Sequence, residues 1–126
     1  MAASSREKDY VHQLEGMLAE DYDICFTVVQ LYLWEIQHTD RSEVLILLND
    51  FLENIKYDYV IVQLGENIID ASSADLDYID LLNYIDARQE DTKIFVLGGF
   101  WNAPALDEAK QYACEKSNVD AVFVDL

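Results

Sequence analysis

The residues of this chain that could do chemistry sit just after its apolar runs. Val60-Ile61-Val62 leads through Gln63-Leu64 into Gly65-Glu66-Asn67. A glycine there lets backbone approach a ligand closely, and the asparagine offers an amide donor. An amide aimed at a developing oxyanion lowers a barrier by about 3–4 kcal/mol when its geometry is right. Gly and Asn are also the residues of a plain strand-ending turn, so the spacing alone leaves both readings open. Trp34 with Glu35, and Trp101 with Asn102, are candidates for the rim of a carbohydrate or acyl pocket. Aromatics at a sheet edge also serve as ordinary partly buried packing.

Other chemistries find little support. His12 and His38 lack metal-ligand spacing, so no metal site is expected. Asp75, Asp77 and Asp80 read as the solvated start of a helix, where acids suit the macrodipole. Neither the Gly-x-Gly-x-x-Gly fingerprint nor a phosphate-binding Gly-x-x-x-x-Gly-Lys-Ser/Thr occurs. Cys25 and Cys114 make no disulfide framework; buried free thiols in a reduced, cytoplasmic setting are the expectation.

The elements that must position these residues follow from periodicity. Residues 7–20 read as a helix with Tyr10, Val11, Leu14, Met17 and Leu18 on one stripe. Asp23–Gln30, nearly continuous in apolar residues, reads as a strand covered on both faces. A helix over 41–55 follows, opened by Thr39 or Asp40, and then a strand over Tyr57–Leu64. A third helix spans 74–89, with Leu76, Ile79, Leu82 and Ile85 inward, and leads to a strand over Lys93–Leu97. Pro104 suits the first turn of a helix running to Ser117, and Asp120–Leu126 reads as a last strand. Helices of this length between strands imply parallel pairing through right-handed crossovers. The fold class is α/β, a three-layer sandwich with a parallel sheet, in one domain spanning 1–126. In such sheets ligands bind beyond the carboxyl ends of the strands, which is where the Gly65–Asn67 loop falls.

The chain has 126 residues and a formal net charge of −17, with 52% hydrophobic and 26% charged residues. That balance is globular rather than disordered. The charge is spread over both halves, so nucleic acid and anionic membrane surfaces are poor partners. No apolar run approaches the ~20 residues that span a bilayer.

Tyr57-Asp58-Tyr59-Val60-Ile61-Val62-Gln63-Leu64-Gly65-Glu66-Asn67 resembles the third conserved block of the SGNH (GDSL-type) hydrolases, a strand followed by Gly-x-Asn. Lys8-Asp9-Tyr10-Val11-His12, Trp34-Glu35, Phe100-Trp101 and the closing Val122-Phe123-Val124-Asp125-Leu126 are similar to a bacterial branch of that family. The resemblance covers nearly the whole chain and implies a flavodoxin-like fold. It also implies serine ester hydrolysis without a cofactor, on a small-molecule ester substrate. Asn67 would be the oxyanion donor, Gly65 would give the loop its geometry, and Trp34, Glu35, Trp101 and Asn102 would bind substrate. The family's Gly-Asp-Ser or Gly-Asn-Ser nucleophile motif and its Asp-x-x-His block are not in this sequence, whose last histidine is His38. The chain as written is therefore not expected to be a competent esterase. The missing pieces are the two ends, so the expectation is a partial domain lacking a first strand and a C-terminal helix. In the family that strand lies between the next two, so its loss leaves an open slot that invites self-association.

Overall fold

The computed structural model describes residues 10–126, and the expected cap at Ser4 or Ser5 lies outside them. The chain divides into two compact units, 1–30 and 31–126. In the first, α1 spans Tyr10–Asp21, and residues 22–30 continue without regular structure. The second is built from α2 (Tyr32–Ile36), α3 (Ser42–Asn54), β1 (Tyr59–Val62), α4 (Ala74–Asp86), β2 (Lys93–Leu97), α5 (Pro104–Lys116) and β3 (Ala121–Val124). It is a mixed α/β unit with a three-stranded parallel sheet in the order β1-β2-β3.

The sheet register explains which residues are buried. Val60 pairs with Ile94 and Val62 with Val96; Ile94 in turn pairs with Ala121 and Val96 with Phe123. These residues share one face, since side chains alternate along a strand. Val62, Ile94 and Val96 join the core cluster with residues of α2, α3, α4 and α5. The order β1-β2-β3 steps in one direction, so right-handed crossovers carry α4 and α5 to the same face. The other face carries Tyr59, Ile61, Phe95, Leu97, Val122 and Val124. Tyr59 is 67% exposed, with its ring 6.1 Å from that of Phe95, and Ile61 and Val122 are each 40% exposed.

Four local expectations need correction. Asp23–Gln30 forms no strand. A lone strand satisfies none of its backbone groups, so an apolar run becomes a strand only where a ladder is offered. Cys25, expected buried within that strand, is exposed, and Cys114 is only partly buried. The α4 stripe is Ala74, Tyr78, Leu81, Leu82 and Ile85, while Leu76 points outward at 62% exposure. That helix also stops at Asp86, three residues early. The reason is Gln89, which is 2% exposed. Its Nε2 donates to the carbonyls of Leu52 (2.6 Å) and Ile55 (2.8 Å), and its Oε1 accepts from the Tyr57 N–H at 2.8 Å. One side chain thus satisfies carbonyls left open at the end of α3 and sets the approach to β1.

α3 starts at Ser42 with Arg41 at its N-cap and no side-chain cap bond, so the expected opener Asp40 lies one residue before the cap. Asp40 Oδ1 accepts from the N–H of Ser42 at 2.9 Å and from its hydroxyl at 2.6 Å. Both bonds hold the Asp40 carboxyl below its ordinary range. Pro104 occupies the first turn of α5, as its fixed φ and missing N–H favour.

Candidate functional site

The loop after β1 is a tight turn, closed by the Ile68 N–H donating to the Gly65 carbonyl at 3.1 Å. Gly65 is buried with φ +125°, a conformation that L side chains rarely adopt. Space is equally restrictive. A Cβ there would lie 2.8 Å from Tyr78 Oη and 3.3 Å from both Cε and Nζ of Lys110. Asn67, two residues on, is exposed.

Glu35 organises this loop from beneath. Its side chain is 3% exposed. One carboxylate oxygen accepts from the Gly65 N–H, the other from the Asn67 side-chain amide. Glu35 is placed by the five-residue helix α2, which the sequence pattern does not reveal. Trp34 anchors that helix and is 2% exposed. Its ring lies 5.2 Å from that of Tyr78, and the Arg41 guanidinium sits 4.3 Å from its centroid. Arg41 Nε also donates to the Trp34 carbonyl at 2.8 Å, and Arg41 pairs with Asp77 at 2.9 Å. Asp77 is therefore tied to Arg41 rather than simply solvated.

A second layer joins the ends of β1 and β2. Tyr78 Oη donates to the Leu64 carbonyl at 2.9 Å. Lys110 is 1% exposed; its Nζ donates to the Leu97 carbonyl at 2.9 Å and lies 3.9 Å from Asp107 Oδ1. Burial lowers the Lys110 ammonium from its ordinary value, against the opposing fields of Asp107, Glu66 and Glu35. Burial, and then the charges of Glu35, Asp107 and Glu66, push the Tyr78 phenol well above its ordinary value. Asp107 Oδ1 accepts from the Gly99 N–H at 3.0 Å. Glu66 Oε1 accepts from the Phe100 N–H at 2.8 Å and from Gln63 Nε2 at 3.3 Å, so the Gly65–Asn67 and Gly98–Asn102 loops are bound together.

The residues singled out from sequence separate into two groups. Glu35, Gly65 and Asn67 meet at one point, with Trp34 buried behind them in the core. Trp101, at 59% exposure, and Asn102, also exposed, lie on the neighbouring loop that Glu66 holds. Sequence reasoning missed Tyr78, Lys110, Asp107 and Arg41. For Lys110 a signal existed: Leu106, Ala109, Lys110 and Ala113 follow helical i, i+3, i+4, i+7 spacing. A lysine on such a stripe must find a buried partner. Two depressions, of ≈ 540 and ≈ 310 Å³, are lined by residues of 36–43 and by Ala71, Ser72, Asp75, Ala105, Glu108, Ala109 and Tyr112. The Gly65–Asn67 loop lines neither.

Among the described residues no group of three or more His, Cys, Asp or Glu is arranged to hold a metal ion. Among the same residues no helix is long and apolar enough to cross a membrane. Glu35 takes the Gly65 N–H, so the hydrogen this turn can offer an incoming anion is the remaining one on Asn67 Nδ2. Two donors from one turn already converge on a carboxylate beyond the carboxyl end of a parallel strand, a position suited to ligands in open α/β sheets. Comparison with known proteins returns no matching family model, no matching curated protein and no matching solved structure.

Proposed function

We propose that residues 31–126 carry the oxyanion-stabilising part of an SGNH-type serine ester hydrolase domain. Its substrates would be small acyl or acetyl esters, carbohydrate-linked ones among them, and the chemistry needs no cofactor. The observation that carries this reading is the exposed Asn67 side chain beyond the carboxyl end of β1, its amide nitrogen fixed by Glu35. An amide nitrogen held there with one hydrogen left over is suited to the negative oxygen of a tetrahedral intermediate. Asn67, exposed at the mouth of the sheet, is the proposed donor, and Trp101 and Asn102, exposed on the loop that Glu66 ties to this turn, are the proposed substrate contacts. No Gly-Asp-Ser or Gly-Asn-Ser and no Asp-x-x-His occurs in the sequence, so this chain alone does not turn over an ester. The coding frame on either side tests the reading. A Gly-Asp/Asn-Ser strand upstream and an Asp-x-x-His block downstream support it; in-frame stops just before Met1 count against it. A short acyl ester offered to the chain itself should hydrolyse no faster than in buffer. Turnover that disappears in Asn67→Ala would overturn the claim of inactivity.

A second reading, a non-catalytic binding or assembly module, is favoured by a different observation. One sheet face presents Tyr59, Ile61 and Val122 to solvent, and among the described residues β1 pairs with β2 alone. Such a surface accepts a further strand or an apolar partner.

A further inference from the structure

We propose that Glu35 is a positioning residue that fixes which end of the Asn67 carboxamide faces inward. The proposal rests on Asn67 as the oxyanion donor for its functional meaning, but its physical content stands apart from that reading. The two ends of a carboxamide are nearly equal in size, so an asparagine on an exposed turn can present either one. Glu35 removes the choice. A carboxylate only accepts, and each Glu35 oxygen here faces a donor, the Gly65 N–H and Asn67 Nδ2. A rotated Asn67 would set Oδ1 against a carboxylate oxygen, acceptor against acceptor, beside a side chain only 3% exposed. Nδ2 carries two hydrogens and Glu35 takes one. The second stays on the same nitrogen, on an exposed residue, free to meet an incoming oxygen anion. The carboxylate is held in place by the same α2 contacts that bury Trp34: the Tyr78 ring at 5.2 Å and the Arg41 bond to the Trp34 carbonyl at 2.8 Å.

Glu35→Gln inverts this logic while conserving shape. Its carbonyl oxygen can still take the Gly65 N–H, which leaves its amide nitrogen facing Asn67, and Asn67 must turn Oδ1 toward it. In the 15N-labelled chain, the side-chain amide protons of wild-type Asn67 should be widely split and slow to exchange beside those of the exposed Asn102 and Asn118. In Glu35→Gln the splitting should collapse while the backbone spectrum stays that of a folded protein. Asn67 protons that match Asn102 and Asn118 in the wild type, or that ignore Glu35→Gln, overturn the proposal. A second pair of variants needs only the native Glu35. Asn67→Asp sets two carboxylates against each other, whereas Asn67→Ala merely deletes a partner, so Asn67→Asp should melt several degrees lower than Asn67→Ala. Equal melting temperatures overturn the proposal, even if Glu35→Gln does not fold. Neither readout involves ester turnover, so failure here and failure of the hydrolase reading are separable.

Discussion

At the scale of single residues, the site depends on a glycine that nothing can replace. Gly65→Ala adds backbone strain at φ +125° to a 2.8 Å clash with Tyr78 Oη. Strain of this kind costs roughly 1–3 kcal/mol, and overpacking costs a similar amount. The expected outcome is a loss of about 3 kcal/mol, seen as a melting temperature lower by roughly 10–20 °C. Gly16→Ala is the contrast, because a Cβ there meets nothing within 4 Å. Inside α1 it should raise helix content and stabilise by about 0.5–1 kcal/mol. The glycine was legible in the sequence, as was Asn67, because turn chemistry is local. The box around Gly65 was not, because Tyr78 and Lys110 come from later helices and only three-dimensional packing brings them there. Those two residues also set the alkaline behaviour. The Tyr78 phenol is raised, first by burial, so above about pH 10 the unfolded chain loses a proton that the folded one keeps, and stability falls. The Lys110 ammonium is lowered by burial, so its contribution runs the other way. The folded state loses that proton first, and stability rises with pH between the lowered value and about 10.4. Melting temperature followed from pH 8 to pH 12 (roughly the range of both groups) should fall at the high end, and less steeply in Tyr78→Phe.

At the scale of elements, helices and strands with strong periodicity were readable, and the connections between them were not. Lys93–Leu97 is a strand over the expected residues, and α3 and α5 match within two residues at each end. Asp23–Gln30 failed because an apolar run specifies burial but not a hydrogen-bonding neighbour. The five residues of α2 are too few for a 3.6-residue period to show, yet they carry both Trp34 and Glu35. The end of α4 was misplaced because Gln89 acts through long-range bonds that leave no periodic trace. Those bonds give a sharp prediction. Gln89→Leu keeps the bulk but leaves the Tyr57 N–H and the Leu52 and Ile55 carbonyls without their partner. Each buried group left unsatisfied costs roughly 1–3 kcal/mol. A loss of about 3 kcal/mol or more in chemical denaturation is the expected result, and a loss under about 1 kcal/mol would show that water replaces the clamp.

At the scale of the whole molecule, two features pull against each other: a net charge of −17 and a sheet that is open at its edge. β1 pairs with β2 on one side only, and among the described residues no strand flanks its other side. Within residues 31–126 the outer backbone groups of Tyr59–Val62 then have no strand partner, next to the exposed side chains of Tyr59 and Ile61. An edge like this pairs with another chain unless something opposes it. Here the opposition is electrostatic, since every approaching copy brings the same excess of acids. Repulsion between exposed charges fades once salt shortens the Debye length, from about 10 Å at 0.1 M to about 3 Å at 1 M. It also fades as pH falls toward the isoelectric point near 4.1. Self-association should therefore be absent at low salt and neutral pH, and appear on raising salt or approaching pH 4–5 (about where carboxylates begin to titrate). Sedimentation velocity over that grid measures it directly. Ile61→Lys places a charge on the open strand, the usual means by which edges are protected. The variant should stay monomeric at salt concentrations where the wild type associates. If it associates equally, contact runs through another surface, and the edge of β1 is not what joins the copies.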